Sequence, residues 1–242
     1  GLKLNYGIAG AGLAYILVPI VLLAIFTFIF LKKVFPDFNK TKFVFDINLF
    51  KKLNKYGVFI ISVAIGSLIM GYTDTLVLTY FTGLEAVALY NIAFPTAHIL
   101  VYFPRAVNGV LLPLASELWA KKQRALLKTG VELLYKYSLI IVMPVALIIF
   151  SFSELIIKVL YGESYLPASP TLKILVIGMM VATLYGINAN FFSGIGKPQI
   201  TSKILYTAAI FDLASNIILI PIMGIVGAAV TTTISYFIMA VL

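Results

Sequence analysis

The feature that most constrains this chain is the length of its uncharged apolar windows. From Ile8 to Leu31 no side chain is charged, and from Tyr56 to Phe81 only Asp74 interrupts the run. A bilayer core about 30 Å thick takes roughly 20 helical residues to cross, so these windows read as membrane spans. Composition agrees: 62% of the 242 residues are apolar and 11% are charged, against about 45–50% and about 25% in soluble domains. Such a chain has too little polar surface to wrap its own core in water.

Seven windows of this kind follow one another. After Ile8 to Leu31 and Tyr56 to Phe81 come Ala86 to about Ser116, Tyr137 to Ser153, Ile174 to Ile195, Ile200 to Ile220 and Ile225 to Leu242. The third carries His98 and Arg105 and is long enough to tilt, or to bend where Pro104 removes a backbone donor. Pro221 and Gly224 separate the last two. The windows lack period-2 alternation, which favours helices over strands, and helices satisfy every backbone group in lipid. The expected fold is an all-α, polytopic membrane bundle of about seven spans.

The net charge of +9 lies between the apolar runs rather than along a face, so it speaks for membrane orientation and anionic headgroups, not for nucleic acid. Lys32 to Lys55 holds seven Lys and two Asp. Placing it in the cytoplasm puts the Lys121, Lys122, Arg124, Lys128 segment and the Lys197 turn on the same side. The turn at Glu85 and the Glu154 to Ser169 loop fall outside, where only Lys3, Lys158 and Lys173 are basic. With Trp119, Leu126 and Leu127, the Lys121 to Lys128 segment reads as an amphipathic helix on the cytoplasmic headgroups. The expected location is the cell membrane, crossed many times, with membrane lipids as partners.

A short echo links the two ends of the chain. Gly7-Ile8-Ala9-Gly10-Ala11 returns as Gly224-Ile225-Val226-Gly227-Ala228, each opening a span entered from outside, with small residues that permit close helix contact. Taken as a repeat, it makes residues 1–31 the last helix of one lobe, 32–55 a basic cytoplasmic interlobe linker and 56–242 a second lobe of six helices. A chain that begins on Gly beside an apolar run then reads as a piece of a larger two-lobed transporter.

Four stretches carry a family likeness: Asp74 followed by Ala86 to Pro95 (AVALYNIAFP), Pro104 to Glu117 with Leu112-Pro113-Leu114, Leu160 to Tyr165 (LYGESY), and Gly196-Lys197-Pro198 with the closing Pro221 to Ala229. In these the chain resembles the polysaccharide (O-antigen type) flippases of the multidrug/oligosaccharidyl-lipid/polysaccharide exporter superfamily. The resemblance implies a two-lobed helical transporter of the multidrug-extrusion type of fold. Such a protein exports a polyprenyl-linked oligosaccharide across the cytoplasmic membrane by alternating access.

Ionisable groups inside a bilayer cost roughly 2.5–3.5 kcal/mol on insertion scales, so Asp74, Arg105 and Asp212 require a reason. Asn91, His98 and Arg105 recur every seven residues, with Tyr102 and Asn108 close to the same face, and form a polar stripe suited to a water-filled cavity. There Arg105 offers a planar fork of donors to a diphosphate; its structural alternative is to bond carbonyls freed near Pro104. Asp74 lies about 10 Å from the outer end of its span and Arg105 about 28 Å from the outer end of its own, so a direct pair needs strong tilt. Asp74 therefore meets another partner, couples to a cation or caps a helix break. Asp212, about 18 Å from its inner end, forms a patch with Ser215 and Asn216 that suits a proton, a sodium ion, sugar hydroxyls or an interhelical bond. Asn188 and Asn190 suit sugar contacts or helix packing.

The sequence contains no Cys and one His, leaving no thiolate site and no pair of His for a metal; no metal or cofactor is expected. Gly194 to Pro198 lacks the GxxxxGK[ST] spacing that wraps nucleotide phosphates, and no Ser/His/Asp set can be assembled. The chain reads as a carrier rather than an enzyme. Three alternatives stand beside the flippase: a drug or cation antiporter of the same fold, for which Asp74 and Asp212 are the natural cavity charges; a polytopic membrane glycosyltransferase, which needs acidic catalytic residues such as Glu154 or Glu163; and a channel.

Overall fold

A computed structural model describes residues 7–36 and 45–242. Among them every regular element is helical: α1 (Gly7–Ile29), a π-helical turn (Phe30–Val34), α2 (Ile47–Phe81), α3 (Leu84–Ala120), α4 (Arg124–Ser151), α5 (Ser153–Tyr161), a 3₁₀ turn (Glu163–Ala168), α6 (Ser169–Gly194) and α7 (Pro198–Val241). The chain divides into two units, residues 1–50 and 51–242. The shorter holds α1, which is apolar along its whole length and carries Pro19.

The expected spans are present, several with extended ends. α2 begins at Ile47 rather than Tyr56, because the Asp46 carboxylate accepts the backbone N–H groups of Asn48 (2.8 Å) and Leu49 (3.1 Å) and so satisfies donors that a helix start leaves open. The basic segment expected as a separate amphipathic helix is a tight turn at residues 121–123 followed directly by α4. The segment between α4 and α6, expected as a loop, folds into α5 and the 3₁₀ turn, joined at Gly162 with φ 99°.

α7 has 44 residues, about 66 Å of straight helix, twice what a bilayer core admits. It breaks at Gly224, whose φ of 57° and ψ of −134° lie outside the helical region. Six helices among the described residues are long and apolar enough to cross a membrane, and the break at Gly224 divides the last of them into two limbs, giving seven helical segments. The result is an all-α, multi-pass membrane bundle.

α6 is the axis of the longer unit. Its buried residues run from Ser169 to Ile187, and it packs on α3, α4 and α7. Glycines set these approaches: a Cβ on Gly178 would stand 2.7 Å from Thr233 Oγ1 and 3.0 Å from Thr233 Cα, and one on Gly194 would stand 2.8 Å from Leu112 O. Where the backbones meet, Thr233 donates to Ile174 O at 3.1 Å. In lipid, where apolar burial gives no net drive, close packing and such bonds hold helices together.

Candidate functional site

Two polar features lie inside the longer unit, and they are stacked along its axis. The first is a sealed cluster. Asp74 on α2 is 2% exposed and Asp212 on the first limb of α7 is 1% exposed. Asn216, one turn beyond Asp212, bridges them, donating from Nδ2 to Asp74 Oδ1 at 2.6 Å and to Asp212 Oδ2 at 3.1 Å. The second Asp74 oxygen accepts Thr232 Oγ1 at 2.7 Å and the Tyr90 hydroxyl from α3. Ser235 donates to Asp212 at 3.1 Å and Thr231 to the Asn216 carbonyl at 2.5 Å. Four helical segments thus converge on two carboxylates, and no Lys or Arg pairs with either among the described residues.

Of the patch expected around Asp212, Asn216 joins the cluster and Ser215 does not, and Asn216 is also a partner of Asp74, so Asp74 and Asp212 belong to one site. Tyr90, Thr231, Thr232 and Ser235 were missed. The available signal was the hydroxyl run Thr231-Thr232-Thr233-Ile234-Ser235-Tyr236 inside an otherwise apolar span, with positions 231, 232 and 235 on one helical face.

The second feature is a cleft of about 400 Å³ between α2, α3, α6 and α7, lined by Ser67, Phe94, His98, Arg105, Asn190 and Tyr236 among others. Arg105 is its charged wall residue, exposed on α3. Along the same helix Phe94 stacks on His98 at 5.8 Å between centroids, and Tyr102 meets His98 edge-on at 5.3 Å. Asn190 donates to Gly186 O at 2.8 Å and lines the cleft, whereas Asn188 accepts Tyr135 in the packing between α4 and α6.

Of the expected stripe on α3, His98 and Arg105 reach the cleft and Asn91 does not. Asn91 is exposed, at 3.5 Å from Thr75 Oγ1. A heptad falls about 20° short of two full turns and rises about 10 Å, so Asn91 and Arg105 are separated by about 40° and about 21 Å. The side chain of Asn108 lies outside the described residues.

Comparison with known proteins gives this architecture a family. Residues 5–170 match the polysaccharide biosynthesis protein family. The chain belongs to it. It is 47% identical to an uncharacterized membrane protein of Methanocaldococcus jannaschii over 93% of this chain and 45% of that protein. It is 24% identical to the probable low-salt glycan biosynthesis flippase Agl15 of Haloferax volcanii over 79% of this chain and 41% of that protein. To the teichuronic acid biosynthesis protein TuaB of Bacillus subtilis it is 24% identical, over 65% of this chain and 32% of that protein. The chain thus spans less than half the length of each of these relatives. No solved structure matches it.

Proposed function

We propose that this chain forms one lobe, with the last helix of the other, of a flippase that carries a lipid-linked saccharide across the cytoplasmic membrane by alternating access. In this reading Arg105 holds the lipid diphosphate and the Asp74–Asp212 cluster holds a coupling proton or sodium ion. The reading rests on one observation: Arg105 is the charged residue among those lining the cleft, and the carboxylates are withdrawn from it. An anionic headgroup meets a guanidinium fork there, whereas a cationic drug would meet the wrong sign. The likeness to a protein named as a glycan biosynthesis flippase supports the same assignment.

The cluster supplies carboxylate, amide and hydroxyl oxygens without a basic partner, a donor set suited to a proton or a hard monovalent cation. The cleft and the cluster share helices, as expected where substrate and coupling-ion sites lie between spans. Glu154 and Glu163, the acids considered for a glycosyltransferase, stand in exposed ion pairs with Lys173 at 3.5 Å and Lys158 at 2.5 Å, away from the residues that line the cleft.

The test uses the two-lobed protein in proteoliposomes and a fluorescent lipid-diphosphate-saccharide. Arg105→Ala abolishes its movement, and Arg105→Lys, which keeps the charge and loses the fork, retains a reduced rate. Full transport by Arg105→Ala refutes the assignment.

A further inference from the structure

The cleft and the acidic cluster meet end to end, with one helical turn between them on three helices. On α2, Met70 lines the cleft and Asp74 is four residues on; on α3, Phe94 lines the cleft and Tyr90 is four residues back; on the second limb of α7, Tyr236 lines the cleft and Thr232 is four residues back. Four residues rise about 6 Å. Given the directions of these helices, every offset points the same way, toward the Thr82-Gly83 end of the bundle and away from the basic turns. The cluster therefore sits about 6 Å beyond the blind end of the cleft.

Met70, Phe94, Tyr236 and, on α6, Ala182 and Thr183 occupy that end. Met70, Phe94 and Ala182 are wholly apolar, and the Thr183 hydroxyl is spent within α6, donating to Met180 O at 2.6 Å. Tyr236 also carries a hydroxyl; its backbone neighbour Ser235 holds Asp212 and Thr232, one turn back, holds Asp74. The Tyr236 ring forms part of the cleft wall. No cluster residue borders the cleft, and Asn216, Thr231 and Ser235 are 0% exposed, so an ion entering from the cleft must pass this layer.

We infer that the cleft is the route by which the coupling ion reaches Asp74 and Asp212 from the basic side of the membrane, and that Tyr236 is the gate between them. The identity of the traveller rests on the coupling-site reading above; the route does not. A tyrosine suits the position because its ring excludes water when packed while its hydroxyl offers a passing ion a polar contact. One χ1 rotation on a single residue opens the path without unpacking a helix, a small local motion of the kind that gates many sites. Substrate and ion then share one vestibule, so a headgroup on Arg105 stands in the ion's way and occupancy of one site governs access to the other.

The sequence has no cysteine, which makes a single introduced thiol a clean reporter in a two-lobed protein freed of other cysteines. Ser235→Cys places a near-isosteric thiol in the cluster. Ag⁺ serves as the probe: a monovalent cation comparable in size to the alkali ions, it forms the silver thiolate and releases the thiol proton. Protection from later maleimide labelling of the unfolded protein reads the reaction. Ag⁺ is applied to proteoliposomes from one side at a time. With Tyr236 present the reaction is slow. Tyr236→Ala accelerates it at least tenfold from the basic side alone, and Tyr236→Phe, which keeps the ring, stays within threefold of the parent.

A second variant fills the cleft itself. Gly71 lines the cleft, and a Cβ there meets nothing within 4 Å, so Gly71→Phe plugs the cleft with little strain and slows the reaction below the parent rate. The inference is overturned if Tyr236→Ala leaves the rate unchanged, if the opposite side gains equally, or if Gly71→Phe has no effect. Ser138→Cys, buried on α4, reports general loosening. If it also speeds up in Tyr236→Ala, the Gly71→Phe result decides alone. Separately, ion-dependent transport that survives Asp74→Asn and Asp212→Asn would sink the coupling-site reading while leaving the silver route intact.

Discussion

Replacing Asn216 by Leu offers the most direct test of the acidic cluster. The side chain is 0% exposed and serves three partners: Asp74 at 2.6 Å, Asp212 at 3.1 Å and the Thr231 hydroxyl. Leucine fills similar space, so the substitution removes hydrogen bonds rather than volume. Each buried polar group left without its partner costs about 1–3 kcal/mol, and more when charged. The Thr231 hydroxyl still donates to Ala228 O at 2.8 Å, so two carboxylate oxygens lose their partner, about 2 kcal/mol at the low end. Near 2–4 °C per kcal/mol for a unit of this size, the unfolding midpoint in detergent falls by roughly 4–8 °C. Asp212→Asn in the same background removes one uncompensated carboxylate and recovers part of the loss, a coupling that a double-mutant cycle measures. A midpoint within about 2 °C of the parent, with no coupling to Asp212, would show that the amide does not hold the two carboxylates together.

Further expectations concern packing and the outer face. Gly178→Val drives its side chain into Thr233, whose Cα is 3.0 Å from an added Cβ; the overpacking costs at least about 1–3 kcal/mol and lowers the midpoint accordingly. Gly71→Ala, with open space around its Cβ, removes a flexible helix-interior glycine and shifts the midpoint upward by an amount corresponding to about 0.5–1 kcal/mol. Glu154→Gln and Glu163→Gln each break an exposed ion pair worth about 0–1 kcal/mol, and saccharide movement in proteoliposomes continues at the parental rate; loss of activity in either would revive a catalytic role for the outer loop.

The arrangement of the cluster was half legible beforehand. Helical rise places Asp74 about 10 Å from the outer end of its span and Asp212 about 18 Å from the inner end of its own. In a core about 30 Å thick these are nearly the same depth. Depth is a one-dimensional quantity and follows from counting residues along a span. Whether α2 lies beside α7 does not follow from it, and only that adjacency turns two intramembrane acids into one site. Arg105 was legible for a similar reason, because a guanidinium in an apolar window stands out, while Tyr90 and Tyr236 were hidden among 14 tyrosines. The Asn91–His98–Arg105 stripe stretched too far: a seven-residue period and a 3.6-residue helix part company within two repeats, and the cleft is shorter than the stripe.

Sequence alone determined the solvent, the number of crossings and the sign of each connecting segment, since those follow from apolar length and the placement of lysine and arginine, which act locally and add up along the chain. The tertiary structure decided which buried groups meet: the pairing of Asp74 with Asp212 through Asn216, the separation of both from Arg105, and the single turn occupied by Tyr236 between them. Lateral contact between helices depends on small-residue approaches such as Gly178 against Thr233 and on the kink at Gly224, and these are properties of two surfaces fitted together, which no single span specifies.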